Sequence, residues 1–332
     1  MSSSKFKYLF LSFVTSLSVA NATQQSNFSL ITGNGIETSI PQAFIASCSN
    51  INLPDSDTST TTKEIPIQGT NNVVRLTHTM RGSDTVIVLG QGLPDSQNRW
   101  KHKRDQLAPY DIVTFDYCWK FASLNPQQNL VNDRYKDVMT IVNYLRTEPT
   151  LSYKKIIGLG TCYSAFTFAS AQAHAQESTT PLFDKLIFDS IFDSLLTNAL
   201  STTADPSLSC NNDTGFLPDW AKWIFRTLRA RRLLTWIIPD VSIIPHLSKI
   251  TATTPILFIH GLNDLLVPIE AFRTIWDKVH AAPSVALITP YSHVRNMKYN
   301  WPIYKTVCDC FIQADNGVEQ TSLCTMFFPD HA

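Results

Sequence analysis

Residues 155–164 read Lys155-Ile-Ile-Gly-Leu-Gly160-Thr-Cys162-Tyr-Ser164, and an Ala-rich stretch, Tyr163–Gln176, follows without a break. The first half is a short apolar run with β-branched residues, which suits a buried strand. The second half has helical composition. A strand that passes straight into a helix must turn sharply, and Gly160 and Ser164 supply the small residues such a turn needs. Cys162 stands at its apex. The following helix aims its N-terminus at that residue, which favours a thiolate there and an oxyanion beside it.

Outward from this stretch the same alternation repeats. Strands are expected at Thr85–Gly90, Asp111–Tyr117, Lys155–Gly160, Lys185–Asp189, Pro255–His260 and Ser284–Thr289. Helices are expected over Val131–Arg146, Ile269–His280 and Trp301–Gln313; the first carries apolar residues at Val131, Tyr135, Val138, Val142 and Leu145. Continuous rather than alternating apolar strands, separated by helices, predict an α/β fold: a mostly parallel central sheet with helices on both faces. In such sheets ligands bind at the carboxyl ends of the strands. Residues 23–78 are polar, with short extended stretches at Ile65–Ile67 and Val73–Thr77; 23–69 are expected to form an N-terminal arm, part of it, about Asp55–Thr62, mobile. No internal repeat is found.

Two more stretches carry chemistry. Thr85-Val-Ile-Val-Leu-Gly90-Gln91-Gly92-Leu93-Pro94-Asp95-Ser96 is a strand running into a glycine-containing loop. Pro255-Ile-Leu-Phe-Ile-His260-Gly261-Leu-Asn-Asp264-Leu-Leu-Val267-Pro268 is a strand followed by a turn bearing an acid, and Tyr291-Ser292-His293 follows the next strand. The 29 positions from Asp264 to His293 hold one helix and one strand. Five of the eleven glycines, at 90, 92, 158, 160 and 261, lie in or beside these motifs.

Together these motifs resemble the α/β-hydrolase superfamily over roughly residues 70–315, apart from an insertion. Gly160-x-Cys162-x-Ser164 resembles its nucleophile elbow, usually G-x-S-x-G, and the order nucleophile, acid, histidine matches. The resemblance implies Cys162 as nucleophile, Asp264 as acid and His293 as base, with the backbone N–H groups of Leu93 and Tyr163 as the oxyanion hole. Cysteine in place of serine resembles the dienelactone hydrolase group in triad type. Gln91 replaces the usual histidine of the oxyanion loop, and Ser164 replaces a glycine. The alternatives are an inert buried Cys162, Ser164 as nucleophile, Asp264 as a turn acid, a surface His293, and Asp189 as a reserve acid. His260 reads as structural; His102, His174, His246, His280 and His331 have no motif support.

The implied activity is hydrolysis of an ester, lactone or thioester through an acyl-cysteine, with no cofactor and no metal. The substrate is expected to be a small acyl compound with apolar character. The rivals are a non-catalytic secreted binding protein on the same scaffold and a peptide or amide hydrolase. Residues 191–250 interrupt the alternation with Trp220, Trp223, Phe225, Leu228, Trp236 and Ile237 among Arg226, Arg229, Arg231 and Arg232. They are expected to form a helical cap insertion over the site, the alternatives being a helical pair packed on the core or a membrane-surface helix. The hydrolase core thus spans 70–190 and 251–332.

Composition bounds the rest. Lys+Arg and Asp+Glu are both 27, so no basic face for nucleic acid is expected, and only 16% of residues are charged against the usual 25% or so. Lys5 and Lys7, the apolar run Leu9–Ala20 and Ala20-Asn-Ala22 make residues 1–22 a secretory signal peptide cut after Ala22. The run is too short to span a bilayer, which needs about 20 residues. The remaining 25 basic and 27 acidic residues leave a net charge near −2. Export to the periplasm or beyond would let disulfides persist. Of the seven cysteines, Cys48, Cys118, Cys162, Cys210, Cys308, Cys310 and Cys324, an unpaired Cys162 leaves six for bridging, with Cys308 and Cys310 on different partners.

Overall fold

The computed structural model describes residues 29–32, 37–39, 58–92, 101–117, 134–176, 181–194, 241–250, 254–264, 266–279, 284–299 and 301–314. Their strands are β1 (Ser29–Thr32), β2 (Glu37–Ser39), β3 (Ser59–Pro66), β4 (Val73–Met80), β5 (Thr85–Gly90), β6 (Asp111–Asp116), β7 (Lys155–Thr161), β8 (Lys185–Asp189), β9 (Ile256–Gly261) and β10 (Ser284–Thr289). Their helices are α1 (Lys101–Gln106), α2 (Arg134–Thr147), α3 (Tyr163–Ala175), α4 (Ile244–Leu247), α5 (Ile269–Trp276), α6 (Asn296–Tyr299) and α7 (Trp301–Gln313). No described helix is long and apolar enough to cross a membrane.

All ten strands form one sheet in the order β2-β1-β10-β9-β8-β7-β5-β6-β4-β3. The six strands from β10 to β6 are parallel, and the outer pairs at each side are antiparallel. Burial follows the sequence pattern. The continuous apolar strands β5, β8, β9 and β10 are buried at every position, whereas β4, VVRLTHTM, alternates near its start because one face meets solvent. Successive residues serve opposite faces. Val86, Val88, Leu186, Phe188, Phe258 and Ile288 pack with α2, α3, α4 and α5 on one side. Ile87, Leu89, Ile187, Leu257, Ile259 and Leu287 pack with α6 and α7 on the other. Each such side chain contributes roughly 1.5–3 kcal/mol by leaving water. Beneath the second layer, buried Lys185 donates from Nζ to the carbonyls of Phe311 (2.7 Å) and Ala314, so a cation sits at the C-terminal end of α7 where the helix dipole favours it.

The strands of the polar arm attach to opposite edges of the sheet. β1 pairs antiparallel with β10, and β3 pairs with β4 beyond β6. The expectation that Asp55–Thr62 is mobile does not hold from Ser59 onward. Ser59–Thr62 is paired strand, Thr62 lying opposite Thr77. Its threonines are β-branched, and strand pairing needs no buried face, so an exposed polar run still extends.

The body of the cap insertion, with its Trp and Arg residues, lies outside the described residues. The described ends of the insertion are stitched together. Ser194 bridges Ser242, the Ser242 hydroxyl donates to Asp193 Oδ1, and the Ile243 N–H donates to the Asp193 carbonyl at 2.8 Å.

One cysteine expectation is corrected. Cys308 is a free thiol, 1% exposed, facing the α7 side of the core among Val307, Phe311 and Ile312. α7 turns this position into the apolar core, and Cys310, on the same helix, is half-buried against the same cluster. Cys162 is likewise unbridged. Cys48, Cys118, Cys210 and Cys324 lie outside the described residues.

Glycine lets α3 lie against the sheet. A Cβ on Gly160 would meet the backbone N of Ala165 at 2.7 Å, and one on Gly261 would meet the carbonyl oxygen of Tyr291 at 2.1 Å. On Gly158 the nearest atom, at 2.9 Å, is the flexible end of Leu186. Gly160→Ala and Gly261→Ala should therefore each destabilise by about 1–3 kcal/mol or more, and Gly158→Ala by less. Urea denaturation midpoints check the order; equal losses at all three positions would contradict the backbone contacts.

Candidate active site

Because β5 to β10 run parallel and in register, their carboxyl ends open on one edge of the sheet. Gly90 pairs with Gly160, Thr161 with Asp189, and Thr289 with Gly261. After β6 the chain crosses to the other side of β5, so the ends of β5 and β7 flank a topological switch point, where open α/β sheets bind ligands. Cys162 stands there. Its backbone is at φ 52°, ψ −114°, a conformation that L residues rarely adopt. The Cys162 N–H donates to the Asp189 carbonyl at 2.8 Å, and the Cys162 carbonyl accepts the Ala165 N–H at 3.1 Å. The cysteine occupies the N-cap position of α3 but its side chain caps nothing, and it is only half-buried.

Asp264, Cys162 and His293 are brought together there. Asp264 lies in the turn after β9, 2% exposed. Its Oδ1 accepts the N–H groups of Leu266 (3.0 Å) and Val267 (2.8 Å), and its Oδ2 lies 2.8 Å from Nδ1 of His293. Asp264 is thus a turn acid and a partner of histidine at once. The same imidazole lies close enough to Cys162 for the two side chains to interact. His293 is not a surface residue: its side chain is 14% exposed. The turns carrying Asp264 and His293 are laced together by Leu262 N–H to the Thr289 carbonyl (2.7 Å) and Asn263 Nδ2 to the Pro290 carbonyl (2.6 Å).

Electrostatics follow from this packing. Burial alone would push His293 down, but the charges of Asp264 and Cys162 and the hydrogen bonds to both outweigh it, holding the imidazole well above its usual 6.5. Burial alone would raise Asp264, but His293 and the Val267 N–H hold it below the usual 3.8. The site therefore favours a carboxylate beside an imidazolium.

The remaining alternatives are placed as follows. Ser164 is fully buried, with its hydroxyl donating to the Gln91 carbonyl and lying 2.6 Å from the Tyr117 hydroxyl, so it is not open to a substrate. Serine fits where the superfamily has glycine because the residue across from it is Gly90; a Cβ there would meet Ser164 Cβ at 2.6 Å. Gln91 is buried and donates from Nε2 to the Phe115 carbonyl at 3.4 Å. His260 is structural: its Nε2 bonds the Val267 carbonyl at 2.9 Å and its ring stacks on Phe272 at 4.8 Å. Asp189, the reserve acid, instead accepts from Asn296 Nδ2 at 2.7 Å and from the Ser190 hydroxyl at 3.0 Å. Of the two oxyanion candidates, Tyr163 begins α3, where the first turn's N–H groups lack an i−4 carbonyl, and Leu93 lies outside the described residues. Sequence reasoning missed Ser190, Asn296 and Tyr117. Only the acid at the end of the β8 pattern hinted at the first two, and nothing in periodicity marked the third.

No protein-family model matches the chain, and no curated protein matches it in sequence. Solved structures do match. An esterase of Pyrococcus furiosus superposes with TM-score 0.59 at 17% identity, over 77% of this chain and 90% of that one. A fungal esterase of Rhizomucor miehei gives 0.56 at 11% identity, over 82% and 87%. A bromoperoxidase from Bacillus anthracis gives 0.52 at 14% identity, over 76% and all of that chain. This is the α/β-hydrolase fold. At such identities the likeness concerns the fold alone, and any chemistry rests on this chain's own residues.

The ion pair gives a pH test. His293 is raised in the folded state, so its stabilisation is complete below pH 6.5, the unfolded value, and is lost as pH rises through the folded value. Asp264 is lowered, so its stabilisation is present above pH 3.8 and is lost as pH falls through the folded value. The stability difference between wild type and His293→Gln should therefore narrow as pH rises above 6.5. Denaturation midpoints measured across pH read this directly; a difference independent of pH would mean that folding does not shift the imidazole's pKa.

Proposed function

We propose that the chain is a hydrolase that cleaves a carboxylic ester, lactone or thioester through an acyl-cysteine, with Cys162 as nucleophile, His293 as acid and base, and Asp264 as the group that orients and charges the imidazole. One observation carries this reading: the Cys162 thiol sits on a left-handed strand-to-helix turn beside a histidine whose far nitrogen is 2.8 Å from a buried carboxylate. A strained backbone at an open strand end marks a site where geometry has been kept for chemistry. The arrangement is of the Cys-Asp-His type of the dienelactone hydrolase group, and the esterase neighbours favour an acyl substrate.

The steps follow from the charges. The Cys162 thiolate attacks the carbonyl carbon, and the electron pair of the carbonyl moves to oxygen. The N–H of Tyr163, with that of Leu93 in the oxyanion loop, stabilises the resulting oxyanion, each such donor contributing about 3–4 kcal/mol. Collapse breaks the bond to the leaving group, which takes its proton from the His293 imidazolium. Water then attacks the acyl-cysteine, giving a proton to His293 as it does so. Collapse of the second tetrahedral intermediate releases the acid and returns the thiolate. No step calls for a metal or cofactor. We extend the proposal to export of the chain after removal of residues 1–22.

The test is hydrolysis of p-nitrophenyl acyl esters of graded chain length. Cys162→Ala should lower kcat by roughly 10³-fold or more while the denaturation midpoint is kept, and His293→Ala should fall by a similar factor because such residues act as a unit. Cys162→Ser should keep a trace. Hydrolysis undiminished in Cys162→Ala would end the assignment.

A further inference from the structure

We propose that Asp189 and Ser190, at the carboxyl end of β8, form a positioning unit that fixes the distance between Cys162 and His293. The inference rests on the proposed roles of those two residues. β8 lies between β7, which carries Cys162, and β9, whose neighbour β10 carries His293. Its end is therefore the natural place from which to hold both.

The contacts do so on each side. Toward β7, the Asp189 carbonyl accepts the Cys162 N–H at 2.8 Å. Toward β10, the Ser190 hydroxyl oxygen accepts the N–H of Val294, the residue after His293, at 3.0 Å, while the hydroxyl proton goes to Asp189 Oδ1 at 3.0 Å. The same carboxylate oxygen accepts Asn296 Nδ2 at 2.7 Å, and Asn296 Oδ1 in turn accepts the Thr289 hydroxyl at the end of β10. Asp189, Ser190 and Asn296 are each 0–1% exposed, so these bonds face little competition from water.

The backbone supports a positional role. Ser190 has φ 59° and Val294 φ 53°. A β-branched residue in that region is strained, and such strain persists only where surrounding contacts fix it. With Cys162 itself at φ 52°, all three non-glycine residues of positive φ among those described belong to this one assembly. Asp189 stands at the position from which an acid could serve the histidine directly. Here its carboxylate holds the loop behind His293, while Asp264 holds the ring.

Ser190→Ala removes the acceptor of the Val294 N–H. The experiment follows site-resolved alkylation of Cys162 by iodoacetamide across pH, together with kcat, KM and the denaturation midpoint. Alkylation at neutral pH should slow about 10-fold or more, its pH profile should move upward, and kcat should fall similarly with KM unchanged, since a small displacement of a catalytic group can cost up to 10²-fold. Asn296→Ala, which leaves the Ser190 hydroxyl in place, should shift the same readouts in the same direction. It carries the test should Ser190→Ala not fold. An alkylation profile and kcat matching wild type in folded Ser190→Ala or Asn296→Ala would overturn the proposal. So would losses that only track the unfolded fraction. Alkylation reads the thiol and imidazole without any substrate, so failure here is distinct from ester hydrolysis that survives in Cys162→Ala.

Discussion

The turn at Cys162 costs of order 1–3 kcal/mol to hold, because an L residue at φ 52° and ψ −114° brings its own Cβ and backbone into crowding. The rest of the fold is arranged so that this cost is met. Gly160 lets α3 come close enough for its backbone to pass within van der Waals reach of the strand. The β8 end supplies a carbonyl to the Cys162 N–H. Buried side chains on both faces of the sheet fix the strands from which these groups project.

Charge is the second constraint. Asp264 and Asp189 are both almost wholly buried carboxylates, each of which would be costly alone. The two are stabilised differently. Asp264 faces an imidazole and two backbone N–H groups, so its charge is transmitted to His293. Asp189 faces an amide and a hydroxyl, so its charge orders a loop. Two acids at neighbouring strand ends thus take different parts, separated by what lies opposite each one. The departures at Ser164 and Gln91 are compensated in the same local way. Ser164 takes the space left by Gly90 and ties the start of the loop after β5 to the first turn of α3 through the Gln91 carbonyl.

The sequence by itself determined the periodic part of the protein. Strands at Thr85–Gly90, Lys185–Asp189 and Ser284–Thr289 and the helix at Trp301–Gln313 fall where the apolar runs put them, because two-sided burial demands an unbroken run and one-sided burial a helical stripe. Glycines at the strand ends and the spacing of Cys162, Asp264 and His293 were equally legible, since sharp turns and close backbone approach leave few residue types free. Only the tertiary structure decided how those ends meet. The order β9-β8-β7 sets Asp189 and Ser190 between the thiol and the histidine, which no linear pattern shows across the 104 positions from Ser190 to Val294. It also made Cys308 a buried thiol, split the polar arm between two edges, and gave Asp264 rather than Asp189 to the imidazole. Each of these turns on which side of a sheet or helix a group faces once distant segments pack, and that choice is made by the whole core rather than by any neighbour in sequence.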